Sequence, residues 1–309
     1  MPLGPGAIPR HIERLMSTPL VFDRPLVRRR LSRALAQGYA GFLLDRAVED
    51  LEERLSAVLR PFPLALDVGT PTPAAAEALR RSGRAGTVVR LSPAFEPGSV
   101  LGDEERLPFG GETFDLAVSL LALQGVNDLP GALIQIRRAL KPDGLLVAAL
   151  LGGGTLAELR QAFAQAEAEL EGGASPRVAP FADLRDIGGL LQRAGFALPV
   201  TDSDIFRVRY ASPFGLMRDL RRMGLTNALN DRRKTPLRKS TLLRAAEIYA
   251  ERFADPDGRV RASFEIVWLS GWTPHESQQK PLRPGSAKMR LADALGAKEG
   301  TPSDEATKE

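Results

Sequence analysis

The chain has 309 residues, long enough to bury a full core, and its 43% hydrophobic and 26% charged content is ordinary for a water-soluble globular protein. With no cysteine and only two histidines it excludes disulfides, a thiolate nucleophile and cysteine-ligated metal, and no metal site is expected. The net charge of +4 is concentrated in Arg28-Arg29-Arg30 and in the run from Asp231-Arg232-Arg233-Lys234 to Arg238-Lys239.

Such clusters are usually solvated helix faces or loops. An acidic partner, a peripheral membrane surface or RNA are the alternatives; the lack of interleaved aromatics disfavours single-strand binding, and no DNA partner is expected. No apolar run reaches the roughly 20 residues that span a bilayer, and the first residues lack a secretory pattern. A cytoplasmic protein is expected, or a matrix protein in a eukaryote.

Residues 1–60 form an N-terminal helical extension in which Phe22 to Leu35 is arginine-rich. Gly41 to Leu59 spaces Phe42, Leu44, Val48, Leu51, Leu55 and Leu59 at helical intervals. Pro61-Phe62-Pro63 stops that helix, and Leu64 to Gly69 is a short buried strand ending in Asp67-Val68-Gly69. Ala74 to Arg81 is helix-prone, Gly86 to Leu91 is a second strand, and Thr113 to Leu120 is a third. A helix over Pro130 to Leu140 ends at the turn Lys141-Pro142-Asp143-Gly144, before an apolar strand from Leu145 to Leu151. The alternation predicts a parallel sheet with right-handed crossovers.

Helices follow at Thr155 to Glu171 and Asp183 to Ala194, then a strand at Val200 to Tyr210. A helical insertion at about 211–255, with helices over Pro213 to Met223 and Thr241 to Phe253, precedes a final strand, Phe264 to Trp272. The α/β domain, with that insertion, thus covers 61–272. The polar, Pro- and Gly-rich residues 273–309 read as a disordered tail.

Four segments, Ala65 to Thr70, Gly102 to Phe109, Phe114 to Ser119 and Ile136 to Gly144, together resemble the type 11 class I S-adenosylmethionine-dependent methyltransferases. The fold implied is α/β, a Rossmann-like class I methyltransferase sheet with N-terminal and C-terminal helical additions. More narrowly, the chain resembles the mitochondrial complex I assembly factor 5 family and its bacterial relatives. That resemblance rests on Val21-Phe22-Asp23-Arg24, on Asn127 to Leu133, on Gly173 to Phe181, on Arg218 to Gly224 and on Gly271 to Pro281. It implies arginine hydroxylation or methyl transfer on a protein partner, such as a complex I subunit. It also places S-adenosylmethionine against Asp67, Gly69, Asp103 and Glu104. No residue is singled out as catalytic.

Three departures bear on that cofactor. Where the family has Asp-x-Gly-x-Gly-x-Gly, this chain has Asp67-Val68-Gly69-Thr70-Pro71-Thr72-Pro73, and each proline removes an N–H and adds ring bulk. Where an acidic residue accepts the ribose hydroxyls, Arg90-Leu91-Ser92-Pro93 supplies a guanidinium, which only donates, unless Glu96 swings in. Gln124-Gly125 stands where the family often has His-Trp.

The residues themselves leave further roles open. Asp67 suits a helix cap as well as a cofactor ligand, and Asp103 a turn cap; Asp115 reads as structural. His275-Glu276 is a candidate acid–base pair or a solvated one, and Trp268 and Trp272 are expected in or beside the core. Two functions remain: an enzyme with a remodelled loop, or a methyltransferase-shaped scaffold or chaperone that has lost the cofactor.

Overall fold

The computed structural model describes residues 20–278. The chain divides into two units, Met1–Pro274 and His275–Glu309. In the second, the described residues make one turn, closed by Gln278 N–H donating to the His275 carbonyl at 3.2 Å. The rest of the expected tail lies outside the described residues.

The first unit opens with helix α1 (Arg24–Ala36), started by the Asp23 carboxylate accepting from Leu26 N–H with proline in the first turn, and α2 (Phe42–Ser56). Strand β1 (Phe62–Val68) leads to α3 (Ala74–Arg81), β2 (Ala85–Ser92) and the short edge strand β3 (Val100–Leu101). Then come β4 (Phe114–Leu120), α4 (Leu129–Ala139), β5 (Leu140–Leu151), α5 (Ala157–Glu171) and α6 (Leu184–Arg193). Strand β6 (Ala197–Tyr210), helices α7 (Pro213–Arg222) and α8 (Lys239–Phe253), and β7 (Val260–Trp272) complete the unit.

The strands form one seven-stranded sheet in the order β3-β2-β1-β4-β5-β7-β6. Their side chains alternate between two cores: Leu116, Val118 and Leu120 of β4 face the side covered by α2, α3, α5 and α8, while Leu146, Ala148 and Leu150 of β5 face α4 and α6. Burial on both faces explains the near-continuous apolar runs of β4 and β5.

The wholly parallel sheet expected from the alternation is corrected to a mixed one. β1 to β5 pair in parallel, but β7 is antiparallel to both β5 and β6. β6 is laid one place beyond β5, and the chain returns to fill the gap from the opposite direction. That return keeps the connection carrying α7 and α8 at the carboxyl ends of the parallel strands, where it roofs the site described below.

The turn at Lys141 to Gly144 lies inside β5 rather than before it. Asp143 takes φ +60°, and the register jumps from Phe114 opposite Leu140 to Leu116 opposite Leu145. Asp115 is structural: it accepts from Leu64 N–H at 2.9 Å and pairs with Lys141 Nζ at 2.9 Å. Trp268 is buried in the core with the Arg54 guanidinium 4.4 Å above its ring, and Trp272 packs partly buried against the same core.

The expectation that the basic clusters are solvated holds only in part. Arg30 donates to the Thr226 carbonyl at 2.6 Å, Arg232 pairs with Asp23 at 3.0 Å, and Arg233 lies on Glu171. These cations fasten the N-terminal extension and the loop after α7 to the body of the protein. No helix among the described residues is long and apolar enough to cross a membrane.

Candidate functional site

β1 pairs with β2 on one side and β4 on the other, so the strand order reverses there and a crevice opens beyond their carboxyl ends. Gly69 turns the chain at this point with φ +71°. A Cβ on it would lie 2.6 Å from Glu104 Oε1, so the turn accepts no larger residue without moving that carboxylate. The turn is pinned from below: Ser119 Oγ donates to the Val68 carbonyl at 2.7 Å, and Thr70 Oγ1 accepts from Leu120 N–H at 3.1 Å.

Pro71 is buried at the rim and Pro73 is the N-cap of α3, with no side-chain cap hydrogen bond. Neither offers an amide N–H to a ligand.

Asp67 does not cap α3. It lies opposite Arg90 across the β1–β2 ladder, and Arg90 Nε donates to Asp67 Oδ2 at 2.9 Å. The same guanidinium donates to the Thr70 carbonyl at 2.9 Å and to Glu96. Asp67 is fully buried and Arg90 is 5% exposed. Burial pushes the Asp67 carboxyl up, to about 6, against the pull of Arg90. At neutral pH the pair is therefore mainly ionic, and all three ends of the Arg90 fork are engaged within the chain.

Asp103 and Glu104 are approached by α1. Asp103 caps its own turn, accepting from Glu105 N–H at 3.1 Å, and pairs with Arg24 at 2.9 Å and with Arg28. Arg24 also lies on buried Glu104 and donates to the Gly125 carbonyl at 3.0 Å. Burial raises the Glu104 carboxyl, partly offset by Arg24. Burial acts the same way on Asp103, but the Glu105 amide, Arg24 and Arg28 outweigh it and hold that carboxyl low.

Beside these groups is a cavity of about 510 Å³. Gly69, Pro71, Glu104, Gln124 and Gly125 form one end. The rest is mainly apolar, from α1, α5, α7 and the loops around residues 177–181 and 223–228, with Arg24, Arg28, Arg177 and Arg221 also in the wall. Glu167, fully buried on α5, shapes part of this wall: it accepts from Ser175 N–H at 2.6 Å and Arg177 Nε at 2.7 Å, fixing the loop that presents Val178.

Of the four residues implied by resemblance, Gly69 and Glu104 line the cavity, whereas Asp67 is buried against Arg90 and Asp103 is paired with Arg24 and Arg28. Sequence reasoning did not assign Arg24, Arg28, the Arg90 pairing with Asp67, or the Glu167–Arg177 pair to this region. For Arg24 a signal existed, the string Val21-Phe22-Asp23-Arg24, but nothing local to it names a partner 79 or 80 residues away. His275 belongs to the second unit, where its Nδ1 lies 2.7 Å from Ser277 Oγ.

A family model described as a methyltransferase domain matches residues 66–148. The zebrafish protein named arginine-hydroxylase NDUFAF5, mitochondrial, is 40% identical over 88% of this chain and 89% of its own length. Its Homo sapiens counterpart is 41% identical over 88% of this chain and 83% of its own. The chain belongs to the NDUFAF5 family of class I methyltransferase-fold proteins. A malonyl-acyl-carrier-protein O-methyltransferase of Halorhodospira halophila is also similar, 34% identical over 86% of this chain and 94% of that protein. Among solved structures, Bacillus subtilis YcgJ matches 75% of this chain and 99% of its own with a TM-score of 0.50 at 13% identity. A methyltransferase-class protein of Bacillus halodurans matches 73% and 98%, also with a TM-score of 0.50, at 17% identity. At those identities the structures establish the NDUFAF5-type chain's fold alone.

Proposed function

We propose that this NDUFAF5-type protein serves as a methyltransferase-shaped scaffold for a protein partner during assembly of a respiratory complex, and that it does not hold S-adenosylmethionine in the customary pose. The observation carrying this reading is Arg90 seated on Asp67 at 2.9 Å. A ribose diol needs an acceptor where β2 ends, and a sulfonium ligand needs anionic or neutral surroundings. This chain places a buried guanidinium there, with its acidic neighbours already paired.

The prolines at positions 71 and 73 act in the same direction. Two lost amide donors, at about 1 kcal/mol each, lower affinity by roughly thirtyfold before any steric clash. The residues present do not fit the cofactor in that pose, and no chemical step is derived through it. The scaffold role on a complex I subunit follows from the resemblance to complex I assembly factors. In a eukaryote the mitochondrial relatives point to the matrix, and in a bacterium the cytoplasm is the corresponding compartment.

Calorimetric titration of the full chain with S-adenosylmethionine and with its demethylated product tests the reading. No saturable heat at millimolar ligand is expected, and a micromolar dissociation constant would overturn it. The second reading, an enzyme with a remodelled loop, is favoured by one feature: the cavity remains open next to Gly69 and Glu104. The same titration decides between them.

A further inference from the structure

Beyond the cations that fasten the N-terminal extension, α1 keeps an outward row of its own. Arg29 and Arg33 stand one turn apart on its exposed side and have no ion-pair or hydrogen-bond partner among the described residues. Neither lines the cavity. Arg30 lies beside them, its guanidinium donating to the Thr226 carbonyl, an uncharged acceptor. Arg222, in the last turn of α7, reaches the end of α1 and donates to the Gly38 carbonyl at 3.0 Å, again without a carboxylate.

The charges of this face repel one another. Burial lowers the Arg30 guanidinium from its ordinary value, and the neighbouring cations Arg232, Arg33 and Arg29 push it the same way against a single carboxylate, Asp23. Asp23 is itself paired with Arg232 at 3.0 Å. The sequence supplies no other acid from residue 24 to 44 or from 220 to 230, the stretches that carry α1 and the end of α7. A solvated helix face interleaves its signs, as α2 does with Arg46 and Asp50 four residues apart at 2.9 Å. On α1 the counter-charge is missing, and gathered like charges oppose folding until one arrives.

An RNA strand calls for exposed aromatics on which its bases stack, and α1 has none. A lipid surface calls for large apolar side chains that insert between the cations, and the exposed residues beside Arg29 and Arg33 are Ser32 and Ala36. Guanidinium forks match carboxylates, and the rise from Arg29 to Arg33, about 6 Å, equals one turn of a partner helix. We propose that the outer face of α1, centred on Arg29 and Arg33, docks an acidic segment of the protein partner whose carboxylates recur once per helical turn. The existence of a partner rests on the scaffold reading. The two fail separately, because S-adenosylmethionine binding would sink that reading without touching a face that lies outside the cavity.

The experiment is fluorescence anisotropy of a labelled peptide of four Glu-Ala-Ala-Ala repeats titrated with the full chain, a Gln-Ala-Ala-Ala peptide serving as comparison. Saturable binding of the Glu peptide is expected, about tenfold tighter than the Gln peptide and weakening by about tenfold from roughly 20 to roughly 150 mM NaCl. The double variant Arg29→Glu/Arg33→Glu, at two exposed residues with no partner to lose, should weaken it by about tenfold or more. Arg138→Glu/Arg185→Glu changes the net charge equally at exposed arginines of α4 and α6, and should leave the affinity within about twofold. No saturable binding, equal affinity for the two peptides, or an equal loss in both double variants would each overturn the proposal. So would tighter binding of phosphatidylglycerol vesicles or of a uridine oligonucleotide that Arg29→Glu/Arg33→Glu abolishes, which would assign the face to lipid or to RNA.

Discussion

Arg90 and Asp67 stand opposite each other on adjacent parallel strands, and their side chains meet at the carboxyl end of the sheet, Nε to Oδ2 at 2.9 Å. Asp67 is cut off from water and has Arg90 as its counter-ion, so its charge depends on that guanidinium. Arg90→Met should therefore cost about 3–5 kcal/mol, by leaving Asp67 buried and unpaired. The double variant Asp67→Asn/Arg90→Met should recover much of that loss. Urea unfolding of the two variants and the parent checks both statements, and equal midpoints for the single and double variants would refute the pairing argument.

The same pair offers a route to restored cofactor affinity. Replacing Pro71 and Pro73 by Gly and Arg90 by Asp returns two amide donors and a diol acceptor. The triple variant should bind S-adenosylmethionine at least tenfold more tightly than the parent. A folded triple variant with no gain in calorimetry would show that something other than this turn sets the affinity.

Arg24 ties α1 to the loop carrying Asp103 and Glu104, and its side chain is 11% exposed. Arg24→Gln should cost about 3–5 kcal/mol, because Glu104 keeps its burial and loses its counter-ion. Hydrogen exchange should quicken over residues 24–36 and 103–105 well before it changes in β4 and β5. Uniform acceleration across the sheet would contradict a local role.

Glu167 gives a pH dependence with a definite sign. Burial pushes its carboxyl up, but the Ser175 amide and Arg177 prevail and hold it below the ordinary 4.5. Its folded value is depressed, so its contribution is present above pH 4.5 and is lost as pH falls through the lowered value. The stability advantage of the parent over Glu167→Gln should be full at pH 6 to 7 and shrink on acidification. Thermal unfolding at stepped pH measures it, and an advantage that grows in acid would be the wrong sign.

Much of the framework was legible in the sequence because local signals agreed. Asp128 and Pro130 announce α4, and the carboxylate does accept from Gly131 N–H at 2.8 Å. Long apolar runs announced β4 and β5 because both sheet faces are covered. The edge strand Val100–Leu101 was missed: two exposed residues carry no periodicity. The antiparallel course of β7 was missed as well, since strand direction is set by where the chain returns and not by which residues compose it.

The candidate site was legible in its residues and not in its pairings. Asp67 and Arg90 were each conspicuous against the family pattern, yet only the ladder register brings them face to face. Arg28 and Arg30 looked like one basic cluster; on the helix they diverge, one to Asp103 and the other to the Thr226 carbonyl. Sequence spacing says which side of a helix a residue occupies, and leaves its distant partner unnamed.

The anchoring of α1 has a consequence for biosynthesis. Asp23 N–H donates to the Ala228 carbonyl at 2.9 Å, and its carboxylate pairs with Arg232, 209 residues further along. At roughly 5–20 residues per second, a ribosome needs about ten to forty seconds to deliver those partners after the helix has emerged. Asp103 and Glu104 arrive earlier for Arg24 and Arg28, but through that interval Asp23 and Arg30 lack their partners, so α1 is held by one side only and stays open to chaperones.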